Sequence, residues 1–231
     1  MQRFYFDISL DKKINIDDKD FFHQISHVLR SRIWDKVHIF NGDSYEYIYS
    51  ISGISKKWVE LELVSKELND ADSKLHIAIY QAIPNKFEKI DYIVQKWVEV
   101  GIREFVFFKS ERSSKLVISD NKILRYENII KEALEQCWWN IKPEIRFMEK
   151  LDLGKIEWKT LVCDTKWTES WELSIKSWES KVNILIWPEW GFSDAELENY
   201  KKSGFKFITF WKRIFRTETV SSVLAFKFLN Q

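Results

Sequence analysis

Glycine, cysteine and histidine are scarce in this chain, and no long apolar run occurs in it. Two separated cysteines, Cys137 and Cys163, with only four scattered histidines exclude a disulfide framework and a thiolate zinc site. No apolar stretch approaches the roughly 18 residues that a membrane span needs. The first residues, Met1–Asp7, do not have the character of a signal peptide. These absences point to a soluble cytosolic protein. An excess of one charge is missing too: 36 basic and 35 acidic residues leave a formal net charge of +1, so no global field draws the chain onto a polyanion. Glycine is the oddest shortage. Six in 231 residues is well under half of the ~7% that ordinary proteins carry.

What is present is core material. At 45% hydrophobic and 31% charged residues the chain folds rather than staying disordered. A length of 231 residues fits one large domain or two small ones. Tryptophan is as abundant as glycine is rare. The 12 Trp and 6 Gly together nearly equal the share that glycine alone takes in ordinary proteins.

Periodicity divides the chain near residue 68. Segments 1–68 read as mostly β, with short alternating runs at Lys36–Phe40, Tyr45–Ser52 and Trp58–Val64 separated by turn residues. One helix interrupts them, capped by Asp17 or Asp18, with Phe21, Phe22, Ile25, Val28 and Leu29 as its apolar stripe. A polar stretch, Glu67–Lys74, reads as a linker. Beyond it, over 69–231, strands alternate with helices. Strands are predicted at Leu75–Tyr80, Glu104–Phe108, Thr160–Cys163, Val182–Ile186 and Phe205–Phe210. Helices are predicted at Asn85–Val100, Asn121–Cys137, Asp194–Lys201 and Thr217–Phe228. That alternation implies an α/β domain with a mainly parallel sheet, whose ligands sit outside the carboxyl ends of its strands.

Two strand ends stand out there. One runs Ile186-Trp187-Pro188-Glu189-Trp190-Gly191-Phe192-Ser193. The other runs Phe210-Trp211-Lys212-Arg213-Ile214-Phe215-Arg216-Thr217-Glu218-Thr219. Basic residues gather locally in three places: His27 with Arg30 and Arg32, Lys109 with Arg112 and Lys115, and Lys212 with Arg213 and Arg216.

These motifs resemble the RsmE-type methyltransferases of the SPOUT superfamily, which modify N3 of a uridine in 16S rRNA. The family pattern has a Pro-Glu-Gly-Gly-Phe-Ser loop and a Leu-Gly-x-Arg-Ile-Leu-Arg-Thr-Glu-Thr loop. His27-Val28-Leu29-Arg30, Gln95-Lys96 with Glu99-Val100-Gly101, Ser110-Glu111-Arg112-Ser113, and Glu135-Gln136-Cys137 with Asn140 match it in order as well. The resemblance implies a PUA-like RNA-binding barrel over 1–68 and a trefoil-knotted methyltransferase domain over 69–231. It also implies a homodimer, S-adenosyl-L-methionine as cofactor, and 16S rRNA or the assembled small subunit as partner.

Site residues follow from the same match. Ile186, Trp187, Pro188, Glu189, Trp190, Gly191, Phe210, Trp211, Ile214 and Phe215 are expected to hold the cofactor, with Glu189 either touching it or fixing its own loop. Arg213 and Arg216 are expected to stabilise the developing uracil anion. Glu218 or Thr217 either relays the proton or caps the last helix. Arg3, His27, Arg30, Arg32, Lys86, Lys96 and Arg112 are the expected RNA contacts.

The departures from the family pattern involve tryptophan. Trp34, Trp138, Trp187, Trp190 and Trp211 stand where the pattern has or favours glycine, a residue that permits positive φ and close backbone approach. Two readings account for this. In one, UGA codons that the source reads as glycine are rendered as tryptophan; UGG codons at 187, 190 and 211 exclude it. In the other, the tryptophans are genuine, and the chain is a catalytically impaired RNA-binding homologue whose indoles crowd the cofactor loops. A tryptophan-rich sugar-binding module is a weaker alternative, because the indoles fall in turns rather than on one sheet face.

Overall fold

A computed structural model describes residues 2–55, 57–73, 75–164, 181–209 and 214–229. The chain divides into two compact units, Met1–Asp72 with Leu134–Lys142, and Ser73–Ala133 with Pro143–Gln231. The return of Leu134–Lys142 to the first unit has no counterpart in the local sequence pattern.

In the first unit, five strands form a curled mixed sheet: β1 (Arg3–Tyr5), β2 (Lys13–Ile16), β3 (Lys36–Phe40), β4 (Tyr45–Ile54) and β5 (Val59–Leu68). Their order is β1-β3-β4-β5-β2, with β1 parallel to β3 and the remaining pairs antiparallel. Alternating residues such as Tyr47, Tyr49 and Ile51 on β4 point into a core shared with Phe4, Ile39, Val59 and Leu61. Helix α1 (Lys19–His23) is capped by Asp18, whose carboxylate accepts the Phe21 N–H at 2.8 Å. It then widens into a π turn over Gln24–Val28. That turn corrects the expected apolar stripe. Phe21 and Ile25 are buried, but the extra residue per turn rotates Val28 and Leu29 out to solvent.

The second unit holds the alternating pattern. Its elements are β6 (His76–Ala82), α2 (Phe87–Glu99), β7 (Glu104–Phe108), α3 (Asp120–Cys137), β8 (Glu144–Met148), β9 (Thr160–Cys163), β10 (Lys181–Ile186), α4 (Asp194–Lys202), β11 (Lys206–Ile208) and α5 (Thr217–Leu229). All five strand pairs in the order β11-β9-β10-β6-β7-β8 are parallel, as the alternation predicts. The strands are nearly continuous apolar runs, as a sheet covered on both faces requires. Helix α2 buries Ile90, Ile93, Val94, Trp97 and Val98, and Gly101 ends it with a φ of +79°. Trp97 is fully buried and stacks on Phe107 at 5.3 Å. No helix among the described residues is long and apolar enough to cross a membrane.

At the amino ends of the sheet strands, one carboxylate gathers three basic side chains. Glu104 accepts from His76 at 2.7 Å, Lys181 at 2.5 Å and Arg146 at 2.7 Å. Burial raises the Glu104 pKa, but Lys181 and His76 outweigh it and hold the carboxyl below its ordinary range. Burial, reinforced by Lys181, lowers the His76 pKa against the pull of Glu104. Both shifts have the same consequence. A depressed folded pKa means that the unfolded chain takes up the proton first, so stability is full above the unfolded pKa and falls on acidification. Stability is therefore expected to drop below about pH 6.5 through His76, and again below about pH 4.3 through Glu104. Urea titrations at pH 7.5, 5.5 and 4 check this; equal midpoints at 7.5 and 5.5 would exclude the histidine contribution.

Among the described residues, five non-glycine residues have positive φ, and three are tryptophans: Trp34 at 79°, Trp138 at 62° and Trp158 at 78°. A bulky residue in this region is an outlier, because Cβ crowds the following carbonyl at a cost of roughly 1–2 kcal/mol. Little offsets that cost at two of them. Trp34 is 74% exposed and Trp158 is 57% exposed. Trp138 differs, because its ring lies 4.8 Å from the Arg3 guanidinium and edge-on to His38 at 6.0 Å. Trp34→Gly and Trp158→Gly are each expected to stabilise the protein by about 1 kcal/mol, and Trp138→Gly by less. Denaturant midpoints of the three variants test that ranking.

Candidate active site

The site assembles at the carboxyl ends of β6, β9 and β10. Ile184, Leu185 and Ile186 bury β10 in the sheet, and Pro188 then starts a turn closed by the Gly191 N–H to Pro188 carbonyl bond at 3.0 Å. Gly191 carries the left-handed conformation, with a φ of +71°. The turn therefore tolerates Trp190, whose indole is 75% exposed. Trp187 is buried and is not left-handed either. Left-handed backbone strain in the turn thus does not arise from Trp190. Helix α4 starts just beyond, with Ser193 and Glu196 forming a reciprocal capping box at 3.1 and 2.8 Å.

A cavity of about 280 Å³ opens here, at the lower end of the ~300–1,000 Å³ usual for ligand sites. Trp187, Phe192, Leu197 and Ile214 give it apolar walls, and Arg112, Asp164 and Glu189 give it charge. Cys163 also lines it, and burial pushes its thiol well above the ordinary range. Cys163, Asp164 and Leu197 carry no site signal in the sequence, because no local pattern marks the end of a strand, the residue after it or one position within a helix as a cavity wall.

Below the turn lies a compact polar network. Thr217 donates its hydroxyl to the Trp187 carbonyl at 2.6 Å and accepts from Gln81 Nε2 at 2.7 Å. Gln81 also donates to that carbonyl at 3.2 Å, while its own Oε1 is buried without a hydrogen-bond partner among the described residues. Thr217 is therefore committed to the end of β10 rather than to a cap. Glu189 Oε1 accepts the Asn85 N–H at 3.0 Å and Lys89 Nζ at 2.6 Å. Burial raises the Glu189 pKa, yet these donors outweigh it and keep the carboxyl below its ordinary range. These bonds tie the turn to Asn85 and Lys89, and the side chain also lines the cavity. Glu218 lies 3.8 Å from Lys89 Nζ and 4.0 Å from Arg216.

Of the expected cofactor residues, Trp187, Glu189, Trp190, Gly191 and Ile214 line the cavity, Ile186 and Pro188 are buried beside them, and Phe215 follows Ile214. Phe210, Trp211 and Arg213 lie outside the described residues. Arg216 is exposed at the start of α5. Among the expected RNA contacts, His27, Arg30, Arg32 and Lys86 are exposed. Lys96 is engaged by Glu99 at 2.7 Å. Arg112 instead donates to the Trp190 and Phe192 carbonyls, both at 3.2 Å, and lines the cavity.

Arg3 requires a correction. It is 1% exposed, so no phosphate reaches it. Its guanidinium binds both oxygens of Glu46 at 3.1 and 3.0 Å, the Leu134 carbonyl at 2.9 Å, and Asn140 Oδ1. An arginine near the amino terminus reads as a surface residue, and only the distant partners reveal it as buried.

Comparison with known proteins places this geometry. The RNA methyltransferase domain family matches residues 71–228. The ribosomal RNA small subunit methyltransferase E of Buchnera aphidicola subsp. Acyrthosiphon pisum is 33% identical, over 94% of this chain and 87% of its own length. That of Bacillus subtilis is 25% identical over 95% and 92%. A Neisseria gonorrhoeae ribosomal RNA small subunit methyltransferase E, solved with S-adenosyl methionine, superposes with a TM-score of 0.87 at 24% identity, covering 97% of this chain and 95% of its own. A Legionella pneumophila chain in complex with the same cofactor reaches a TM-score of 0.85 at 28% identity, covering 98% and 96%. With the cavity at the strand ends and a family match across the whole α/β unit, the chain belongs to the RNA methyltransferase family, among the small subunit methyltransferases E.

Proposed function

We propose that this chain methylates N3 of a uridine in 16S rRNA of the small ribosomal subunit, using S-adenosylmethionine. The observation that carries the reading is the cavity beside the Trp187–Gly191 turn, on a chain whose relatives are named for this class of reaction. Its wall chemistry suits the cofactor. Apolar walls fit an adenine, the carboxylate of Asp164 suits a cationic sulfonium or ammonium, and Arg112 suits a carboxylate. Bound there, S-adenosylmethionine supplies an electrophilic methyl group. The comparisons lend no support to the impaired-homologue alternative.

The chain's own residues then have three tasks. The target base must leave its stack, because N3 lies on the Watson–Crick edge. The exposed run His27–Trp34, with Arg30 and Arg32 among apolar side chains, is the candidate grip on RNA, together with Lys86. Arg216, with Arg213, stabilises the negative charge that develops on uracil. Glu218 takes the N3 proton through Oε1, which lies 4.0 Å from Arg216, because Thr217 is already committed and Glu218 Oε2 is buried beside Lys89. The PUA-like character of the first unit, a trefoil knot in the second and a cytoplasmic location belong to the same proposal. So does a homodimer, which the outward Val223 and Phe226 of the otherwise buried α5 support.

A thermal shift with S-adenosylmethionine, followed by labelled methyl transfer to small subunits, tests this. At a hundredfold excess over Kd the cofactor should stabilise the fold by about 2.7 kcal/mol, and the label should appear as N3-methyluridine. The absence of both stabilisation and transfer would sink the reading.

A further inference from the structure

We propose that Lys89 is a positioning residue for the methyl transfer, joining the cofactor turn to the start of α5; this rests on the function proposed above. Lys89 lies in the first half of α2, off the buried stripe. Its ammonium is 2.6 Å from Glu189 Oε1 and 3.8 Å from Glu218 Oε2. Those carboxylates come from two segments that meet nowhere else through charge among the described residues. Both are mostly buried, and Glu218 Oε2 has no hydrogen-bond partner there. Without the ammonium, two carboxylates would face each other across a half-dry gap, and like charges so placed push apart.

The consequence falls on alignment rather than on folding. Gln81 and Thr217 hold the same two segments through uncharged bonds, from Thr217 Oγ1 to the Trp187 carbonyl at 2.6 Å and from Gln81 Nε2 to Thr217 Oγ1 at 2.7 Å. The turn and the helix stay joined when Lys89 is lost, but Glu218 and the neighbouring Arg216 lose their setting. A displacement near 1 Å at reacting groups costs on the order of a hundredfold in rate.

Lys89→Met and Lys89→Arg in the full chain test this against Glu218→Gln. Lys89→Met should keep a melting temperature near the parent's while kcat on small subunits falls about a hundredfold, and Lys89→Arg should recover most of it. The double variant Lys89→Met/Glu218→Gln should be no slower than the slower single variant, because the two act as one unit. Amide exchange supplies a readout independent of activity. In Lys89→Met it should quicken about tenfold at residues 189–191 and 217–220, with β6 and β7 unchanged. Unaltered exchange at those segments, unchanged kcat, or additive losses would overturn the proposal. A parent chain that transfers no methyl would instead overturn the function, and the exchange data would still decide the role of Lys89.

A separate observation carries a second inference: we infer that positions 34, 138 and 158 are glycine in the protein its source cell makes. Among the described residues, three of the five left-handed non-glycine residues are tryptophan, a bulky type that is an outlier in that conformation. Trp34 and Trp158 point their indoles to solvent, with no side-chain hydrogen bond or ring contact among the described residues. Trp97, by contrast, is fully buried and stacked, as a selected indole is. A UGA codon decoded as glycine at these three positions relieves the strain and the glycine shortage together. Peptide masses of the protein purified from its source should show glycine at 34, 138 and 158. Tryptophan at 34 or 158, or a UGG codon at either, would overturn the inference.

Discussion

Arg3→Met is expected to destabilise the first unit by about 3–5 kcal/mol, the largest stability effect of any single substitution proposed for this chain. The guanidinium is buried and bidentate to Glu46, and it is sandwiched by rings, with Phe40 at 4.4 Å and Trp138 at 4.8 Å. Glu46 also holds His38 at 3.2 Å and Asn140 Nδ2 at 3.0 Å. Removing the arginine leaves a buried carboxylate with two weaker partners and orphans the Leu134 carbonyl. Removing both charges is a different perturbation. Arg3→Met/Glu46→Leu should recover more than half of the loss, because well-packed apolar groups replace a buried ion pair at little cost. Urea unfolding of the single and double variants measures both values. A single-variant loss below about 1 kcal/mol would show that the network is dispensable.

Arg216→Ala is expected to lower kcat on small subunits by about 10²–10³-fold, with the affinity for S-adenosylmethionine unchanged within about threefold. The geometry separates backbone from side chain at this residue. Its carbonyl accepts the Thr219 and Val220 N–H groups at 2.9 and 3.1 Å, which sets its place at the start of α5. The side chain is exposed, and its nearest anion, Glu218, is 4.0 Å away, so the guanidinium is available to an incoming base. The uracil ring gains negative charge as N3 gives up its proton, and a guanidinium aimed at that charge acts mainly in the transition state. Arg216→Lys should recover only part of the rate, because a point charge does not reproduce a planar fork of donors. Equal losses in cofactor affinity and in kcat would show that Arg216 serves binding instead.

Much of the architecture was readable where the chain repeats one rule over a long span. Lys36–Phe40, Glu104–Phe108 and Thr160–Cys163 form strands at the predicted bounds, and Asp120–Cys137 differs from its prediction by one residue. Those segments combine dense β-branched and aromatic residues, or an amphipathic helix, with clear punctuation. Three strands were not readable: β1, β2 and β8. Arg3–Tyr5 is a strand only because it pairs with His38–Phe40, and Glu144–Met148 lies at a sheet edge, where its half-exposed residues mimic a loop. The two functional loops were legible as motifs because their residues are contiguous. Lys89 and Gln81 were not, because the groups they hold are 100 and 136 positions away. The bonds from Arg112, expected on RNA, to the Trp190 and Phe192 carbonyls were not readable either, because they span 78 and 80 positions.

The divided first unit has a consequence for how the chain is made. Arg3 leaves the ribosome long before its partners Leu134 and Asn140, which follow more than 130 residues later. Folding in order of synthesis, usual for chains with an amino-terminal domain, is therefore incomplete here until Leu134–Lys142 has emerged. During that interval the sheet of β1–β5 exists without the segment that covers its buried charges. A nascent chain stalled short of residue 134 is exposed to chaperones and proteases, and a fragment ending at residue 72 would be a poor stand-in for the unit. The last step in building this sheet thus belongs to a stretch that begins 66 residues beyond its last strand.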